Sequence, residues 1–247
     1  VFDALTTGKV DYALVPAENS LVGSIHAVSD LLMSREVSVL DEEIWSIRHC
    51  LVVLPGATMA GLRQVRSHPV ALGQCRKSLR RLGVEEIEEF DTAGAAKALR
   101  ANADPAVGVI CSREAAEIHD LEILSEEITD QLPNETRFLL IGLRAQKVVP
   151  GVTVKTTLAF AVNHNCGALA DCLSVFSKRE INLTRLESRP NPGAPWEYMF
   201  LVDIEASRDD GAVQTALLEI RSYVNFVRVL GTSPSRSDTR RPPVPVT

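Results

Sequence analysis

The chain has 247 residues, 45% hydrophobic and 23% charged, with a formal net charge of −6 and a pI near 5.5. This length favours two domains, and the acidic balance argues against a nucleic-acid partner, because binding a phosphate backbone requires a basic surface. No apolar run of about 18 residues occurs, so no membrane span is predicted. Five cysteines without C-x-x-C spacing indicate reduced thiols, with neither a metal site nor a disulfide framework.

Helices and strands alternate along the first half of the sequence. In chain order, we predict a helix end at 1–7 stopped by Gly8, a buried strand at 11–15 leading into Pro16, a helix at 24–34, strands at 37–40 and 50–54, a helix at 67–82 stopped by Gly83, a helix at 92–102 capped by Asp91 or Thr92, and a strand at 107–111. Such alternation indicates parallel α/β units.

The pattern changes after a predicted linker at 147–154, which contains Pro150 and Gly151. The elements that follow are a strand at 156–162, a helix at 167–178, strands at 182–187 and 197–204, a helix at 211–223 and a strand at 224–230. This βαββαβ order predicts a ferredoxin-like layer. We therefore predict domains at 1–146 and 154–233, followed by a disordered tail at 234–247 that lacks apolar periodicity.

Four short motifs combine polar or charged residues with turns. They are Glu18-Asn19-Ser20, the block from Ser67 to Cys75, the segment from Asn134 to Phe138, and Glu187-Ser188-Arg189-Pro190. The third sets a hydroxyl beside a guanidinium, which suits a proton donor and an anion clamp. The first follows a strand, which places its side chains at the carboxyl edge of a sheet, where open α/β folds bind ligands.

In this order and at these separations, the motifs resemble the prephenate and arogenate dehydratase family, which carries a C-terminal ACT regulatory domain. The likeness runs from Val1 to about Pro234, and the stretches 18–26, 91–96 and 195–198 look most like the plant-type arogenate dehydratases. The resemblance implies an α/β fold whose catalytic domain has two lobes, similar to periplasmic binding proteins, followed by the ferredoxin-like ACT domain. One lobe would hold 1–43 and 128–146, and the other the residues between.

The resemblance also implies a decarboxylating dehydration in phenylalanine biosynthesis, of arogenate to phenylalanine or prephenate to phenylpyruvate, under feedback by phenylalanine. Because the reaction makes the ring aromatic, the enzyme need only hold the carboxylates and protonate the departing oxygen. We expect no cofactor, since the chain has no G-x-G-x-x-G, Walker or H-E-x-x-H motif. The expected assembly is a homodimer or homotetramer, in the chloroplast stroma if plant-type and otherwise in the cytoplasm.

The resemblance assigns catalytic roles to five residues. Thr136 is expected to hydrogen-bond or protonate the leaving group, and Arg137 to grip a carboxylate. A strand-edge threonine and a solvated arginine are the ordinary alternatives. Glu18 suits an orienting or acid role because it would repel a carboxylate, while Asn19 and Gln74 complete the catalytic set.

Ser20, Ser67, His68 and Phe138 form the expected substrate-binding set. The alternatives are helix capping for Ser20, a structural role for His68 and core packing for Phe138. Ser67 and His68 would begin a helix whose free N–H groups face an anion. The family's block usually reads Ser-His-Pro-Gln, whereas Val70 replaces the glutamine here, which puts a polar role at that position in doubt.

Two motifs in the second domain match the positions at which the family binds phenylalanine between paired ACT domains. The expected effector site comprises Gly167, Ala168, Leu169, Glu187, Ser188, Arg189 and Pro190. Gly167 lets a ligand lie close to a helix start, and Glu187 and Arg189 either contact the ligand's charged groups or fix the loop that does so. An ordinary exposed ion pair is the alternative.

The chain begins without Met, inside a predicted helix, so we expect a fragment. Family members carry, ahead of the point that matches Val1, a Gly-Pro-x-Gly-[ST]-x-[ST] loop that lines the cleft, and this chain has no counterpart to it. Two functions therefore stay open, a cofactor-free lyase and a catalytically dead fragment that acts as a phenylalanine-binding module.

Overall fold

The structure is a computed structural model that describes residues 1–146, 151–191, 193–194 and 197–236. Most of the predicted linker and the tail beyond 236 lie outside the described residues, so the linker and the disorder of 237–247 stay predictions. The first residues of the predicted tail are ordered instead, because a strand continues through Pro234 and the backbone N–H of Ser235 donates to the carbonyl of Thr153 at 2.8 Å.

Helices and strands occupy most of the described chain. In chain order they are α1 (Phe2–Thr6), β1 (Tyr12–Asn19), β2 (Gly23–Ser24), α2 (His26–Ser34), β3 (Ser38–Ser46), β4 (Cys50–Val53), β5 (Gln64–Ser67), α3 (Pro69–Gln74), α4 (Arg76–Leu82), β6 (Glu85–Glu88), α5 (Thr92–Asn102), β7 (Val107–Cys111), α6 (Arg113–Ile118), β8 (Glu122–Ser125), β9 (Glu135–Gly142), β10 (Val154–Val162), α7 (Ala168–Ser177), β11 (Leu183–Pro190), β12 (Tyr198–Ile204), α8 (Gly211–Glu219) and β13 (Val224–Pro234).

The chain folds into two units. The first contains Val1–Glu18, Ser24–Ile44 and the described residues from Arg137 onward, and the second contains Asn19–Gly23 and Trp45–Thr136. The segment 128–136 therefore belongs to the second unit, not to the lobe predicted from the sequence. The reason is that Ile128 packs into the core of the second unit and the Asp130 carboxylate binds the first backbone N–H groups of α4.

The first unit contains two four-stranded sheets, ordered β2-β1-β9-β3 and β11-β12-β10-β13. The second of these follows the chain order β10-α7-β11-β12-α8-β13, which confirms the predicted ferredoxin-like layer, and we call it the ACT sheet. One of its cores includes Phe160 and Phe176. Ala159, Leu201 and Leu230 belong to a different core, shared with the other strands of the unit, so the ACT sheet is covered on both faces.

Strand β1 continues through Pro16, where the sequence predicted an end. Proline cannot donate to a sheet ladder and is tolerated where one side of a strand is poorly paired. The neighbour of β1 on one side is β2, which has only two residues. Along most of that edge of β1, no neighbouring strand requires a backbone N–H from β1.

The second unit contains one mixed sheet, ordered β6-β5-β7-β4-β8. Strand β5 pairs in parallel with β6 and β7, as the alternating pattern predicted. Strand β4 pairs antiparallel with β7 and β8, so the predicted parallel arrangement does not extend to β4. The long helix predicted at 67–82 is instead the end of β5 followed by α3 and α4, which meet at Cys75.

Candidate active site

Five buried polar side chains come together in the second unit, and we call them the Thr136 cluster. They are Asn19 at the end of β1, His49 just before β4, Gln74 at the end of α3, Asn134 just before β9, and Thr136 within β9. Each is less than a tenth exposed. Because buried polar groups must find hydrogen-bond partners, the contacts among these five decide how each is oriented.

Asn19 is the central member of the cluster. Its Nδ2 donates to Oδ1 of Asn134 at 2.8 Å, to Oγ1 of Thr136 at 3.0 Å and to the carbonyl of Glu135 at 3.1 Å. Its Oδ1 accepts from the backbone N–H groups of Leu21 and Val22 at 3.0 and 3.1 Å. Since backbone N–H groups can only donate, they fix which end of the amide is oxygen and direct the nitrogen toward Thr136.

Gln74 links the remaining members. Its Oε1 accepts from Nδ2 of Asn134 at 3.1 Å and lies 2.7 Å from Nε2 of His49, and its Nε2 donates to Oδ1 of Asn19 at 3.2 Å. An amide oxygen only accepts, so Nε2 of His49 carries a proton. Burial lowers the pKa of His49, although the hydrogen bond to Gln74 opposes this, and the imidazole is therefore neutral at pH 7.

The break between α3 and α4 places Gln74 beside the segment that leads to Asn134. Oδ2 of Asp130 accepts from the backbone N–H of Lys77 at 2.6 Å, and Oδ1 accepts from that of Ser78 at 2.9 Å. The backbone N–H of Asp130 donates in turn to the carbonyl of Gln74 at 2.8 Å. These bonds hold the chain four residues ahead of Asn134, and so help to fix the cluster.

The Thr136 hydroxyl accepts a hydrogen bond from Asn19. Within the part of the chain that the structure describes, this hydroxyl finds no acceptor for its own hydrogen. A hydroxyl carries one donor and two acceptor positions, so Thr136 can still donate to a bound molecule. The arrangement suits hydrogen-bond donation to an oxygen that gains negative charge during a reaction.

Three residues of the expected substrate-binding set make hydrogen bonds within the second unit. The fully buried Ser67 donates its hydroxyl to the carbonyl of Ile110 at 2.7 Å. His68, and not Ser67, caps α3, because its Nδ1 accepts from the backbone N–H of Val70 at 3.2 Å. Ser20 does not cap a helix, since its hydroxyl donates to the carbonyl of Pro133 at 3.1 Å.

Arg137 lies in the first unit with acidic partners of the same chain. Its Nη1 lies 2.8 Å from Oδ2 of Asp203 and 3.3 Å from Oε2 of Glu42, and its Nη2 lies 3.3 Å from Oε2 of Glu18. Successive side chains of a strand point to opposite faces, so Arg137 does not share the face of Thr136. The expected carboxylate clamp is thus already occupied by carboxylates of the chain. Phe138, the next residue, is half-buried.

Gly167, Ala168 and Leu169 line an open surface pocket of about 400 Å³ that is formed by residues 162–170. Gly167 has φ of +85°, in the left-handed region that favours glycine, and immediately precedes α7. The structure therefore provides an opening at the expected effector position, with no side chain on the residue at the helix start.

Glu187 and Arg189 pair with helix α2 of the same chain. Oε2 of Glu187 accepts from Oγ of Ser29 at 3.0 Å, and Nε and Nη2 of Arg189 each lie 2.8 Å from an oxygen of Asp30. Burial opposes ionisation of Glu187, but Arg185 and hydrogen bonds hold its pKa below the usual value. The two residues are thus not a simple exposed ion pair. Ser188 and Pro190, between and after them, are exposed.

Sequence reasoning missed His49 and Asn134 as members of the cluster. A signal existed for Asn134, because it stands two residues before Thr136, and residues two apart in a strand share a face. His49 gave no such signal, since its role depends on Gln74, which lies 25 positions away in the sequence. Among the described residues, no three metal-ligating side chains cluster, and no helix is long and apolar enough to cross a membrane.

Comparisons with known proteins identify the family of the chain. A family model described as prephenate dehydratase matches residues 1–146. The chain is 38% identical over 244 residues to arogenate dehydratase/prephenate dehydratase 2, chloroplastic, of Arabidopsis thaliana, which covers 94% of this chain and 64% of that relative. It therefore spans about 64% of the length of that curated relative.

Two solved structures share the fold. Prephenate dehydratase from Arthrobacter aurescens in complex with L-Phe has a TM-score of 0.86 at 29% identity, over 98% of this chain and 80% of that one. GqqA, described as a novel type of quorum quenching acylase, has a TM-score of 0.83 at 33% identity, over 98% of this chain and 87% of that one. The likeness confirms a periplasmic-binding-protein-like domain followed by an ACT domain. The chain belongs to the prephenate dehydratase family.

Proposed function

We propose that this chain is the catalytic and regulatory part of a cofactor-free decarboxylating dehydratase in phenylalanine biosynthesis. Its substrate is arogenate, which becomes phenylalanine, or prephenate, which becomes phenylpyruvate. The observation that carries the proposal is the hydrogen bond from Asn19 to Thr136, which fixes the threonine oxygen and leaves its hydrogen for a substrate. The matched family and the Arabidopsis relative, whose name includes both activities, support it.

The chemistry requires little from the protein beyond positioning. As the bond to the carboxylate breaks, its electron pair enters the ring, the ring C–O bond breaks, and the departing hydroxyl takes up one proton from solvent, so that carbon dioxide and water leave. Thr136 donates a hydrogen bond to the departing oxygen as negative charge develops there, and Asn19 holds Thr136 in place. Gln74 and Asn134 hydrogen-bond the Asn19 amide, and His49 holds Gln74 in turn.

The acylase likeness raises a different reaction class, which the site favours less. Acyl transfer requires a nucleophile activated by an adjacent base or by a lowered pKa. Among the described residues, the Thr136 hydroxyl is bonded to an amide and not to an imidazole or a carboxylate. Burial raises the pKa of the Cys75 thiol, next to Gln74, to about 12, so this thiol is not an activated nucleophile.

Phenylalanine is the proposed effector, bound at the open pocket that Gly167, Ala168 and Leu169 line. The volume of about 400 Å³ lies within the range of small-molecule sites, and the relative from A. aurescens was solved with L-Phe. Of the two roles left open for Glu187 and Arg189, the contacts with α2 favour the one in which they fix the surrounding structure. A homodimer or homotetramer, and a chloroplast location as in the Arabidopsis relative, remain part of the proposal.

The test is to incubate the purified chain with prephenate and with arogenate while following carbon dioxide release and ultraviolet absorption. We expect turnover of at least one substrate, and phenylalanine should alter the rate. The alternative, a catalytically dead phenylalanine-binding module, predicts binding of phenylalanine without turnover of either substrate. The intact Thr136 cluster favours the lyase over that alternative.

A further inference from the structure

A buried ion cluster in the first unit joins strands β3 and β9 to the ACT sheet. Arg137 of β9 contacts Asp203 of β12 and Glu42 of β3, and it also pairs with Glu18. Nζ of Lys155, on β10, lies 3.0 Å from Oε1 of Glu42. The side chains of Asp203 and Glu42 are 2% and 1% exposed, so water does not weaken these pairs as it would at the surface.

The charges of this cluster do not suit a substrate clamp. The carboxylates of Glu18, Glu42 and Asp203 already surround Arg137, and Lys155 pairs with one of them, Glu42. A further carboxylate brought to Arg137 by a substrate would be repelled, and it would have to displace a partner already at hydrogen-bond distance. Arg137 therefore acts by joining β9 to β3 and to β12 of the ACT sheet.

Asp203 connects Arg137 to the proposed effector motif through the ACT sheet. In the sheet register, Asp203 stands directly opposite Thr157 of β10 and Arg185 of β11. Its Oδ1 accepts from the hydroxyl of Thr157 at 2.8 Å. Arg185 pairs with Glu187, which belongs to the motif matched to phenylalanine binding. A continuous row of polar side chains thus runs from Glu187 to Arg137.

We propose that Arg137 is a positioning residue, and that its bond to Asp203 is the contact through which the ACT sheet governs the placement of the Thr136 hydroxyl. This inference rests on the proposed function. Arg137 follows Thr136 directly in β9, so a displacement of Asp203 with β12 moves the backbone that carries the reacting hydroxyl. Errors of about 1 Å in such placement can cost about 100-fold in rate.

The test is a double-mutant cycle in the full chain, with Arg137→Gln, Asp203→Asn and the double variant. For each, kcat, KM, phenylalanine affinity by calorimetry and the phenylalanine response of the rate are measured. Glu205→Gln is the matched control, because Glu205 is an exposed carboxylate just after β12 that bonds only the exposed side chain of Asn182 among the described residues.

Each single variant should lower kcat about 10- to 100-fold with KM within about twofold, and the double variant should be little worse than either single one. Asp203→Asn should still bind phenylalanine but lose its effect on the rate. The inference is overturned if Arg137→Gln raises KM while Asp203→Asn behaves like the parent, which is the pattern of a substrate clamp. Additive losses, or a retained phenylalanine response in Asp203→Asn, would also overturn it.

A second variant keeps the inference testable if Asp203→Asn does not fold. Thr157→Val removes only the hydroxyl that donates to Asp203, and it should lower kcat and the phenylalanine response in the same direction, whereas a parent-like Thr157→Val contradicts the inference. If the parent turns over neither substrate, the proposed function fails first. In that case hydrogen exchange tests the link between Asp203 and β9. Phenylalanine should change the protection of the 135–142 amides in the parent and not in Asp203→Asn.

Discussion

Nδ2 of Asn19 lies 3.0 Å from Oγ1 of Thr136, although 117 positions separate the two residues in the chain. The bond joins the end of β1 to the start of β9, and the other oxygen and nitrogen contacts of Asn19 leave its amide a single orientation. A motif after one strand thereby sets the geometry of a hydroxyl on another.

Replacing Asn19 by Asp tests this relationship with almost no change of shape. The new oxygen cannot donate to Thr136 or to Oδ1 of Asn134, so we expect turnover to fall roughly 100-fold or more, within the range for a lost catalytic hydrogen bond. Steady-state kinetics on the folded variant give the result. Asn225→Asp, the same substitution at an exposed position of β13, is the control and should stay within about twofold of the parent. Parent-like kinetics for Asn19→Asp would remove the amide from the mechanism.

Stability should depend on His49 at mildly acidic pH. Burial lowers the folded-state pKa of His49, so the unfolded chain binds more protons between that value and the ordinary value of 6.5. Stability is therefore fully retained above pH 6.5 and is lost as the pH falls through the folded-state pKa. Urea unfolding across this range should show a shallower pH dependence in His49→Gln, which still donates to Gln74. Identical slopes in parent and variant would show that His49 does not titrate with unfolding.

Close packing of β13 against β3 should make Gly231 intolerant of a side chain. A Cβ at Gly231 would lie 2.0 Å from the backbone oxygen of Val39, and backbone cannot move aside as a flexible side chain can. Gly231→Ala should cost about 1–3 kcal/mol of unfolding free energy, or more if the strands separate. Gly211→Ala is the control, since a Cβ there meets nothing within 4 Å. Equal stability of the two variants in urea would contradict the packing.

Asp30→Asn separates the two roles open to Arg189. Arg189 makes a bidentate contact with Asp30, so a fixing role predicts that Asp30→Asn and Arg189→Ala weaken phenylalanine binding alike, by about 5- to 150-fold, the usual range of coupling between sites. Direct contact with phenylalanine predicts a loss for Arg189→Ala alone. Calorimetric titration distinguishes them. Asp3→Asn, which breaks only the exposed pair with Arg35, should leave the affinity unchanged.

The sequence identified those parts of the site that local pattern encodes. Asn19, Gln74 and Thr136 belong to motifs, and the structure brings all three together. The alternation of a strand also carried information that went unused, since it separates Arg137 from Thr136 by face and joins Asn134 to it. The partner of Arg137 could not be predicted, because Asp203 lies 66 positions away and meets it only through packing of the ACT sheet.

For the fold as well, local sequence patterns predicted some elements, whereas others form only through tertiary packing. The helix at 92–102 and the strand at 107–111 were predicted at their observed bounds, because Asp91 caps the first and the second is an uninterrupted apolar run. Strand β6, which contains three glutamates and one isoleucine, has no apolar pattern and forms only by pairing with β5. Its presence depends on tertiary context, which a single sequence window does not contain.

The central claim is that Thr136 donates to the departing oxygen, and turnover of Thr136→Ala compared with Thr136→Ser tests it most directly. The account predicts that Thr136→Ala loses roughly two to four orders of magnitude in kcat, while Thr136→Ser, which keeps the hydroxyl, retains a measurable fraction. Circular dichroism and urea unfolding should show both variants folded. A folded Thr136→Ala within about threefold of the parent rate would remove the threonine from the mechanism and contradict the account.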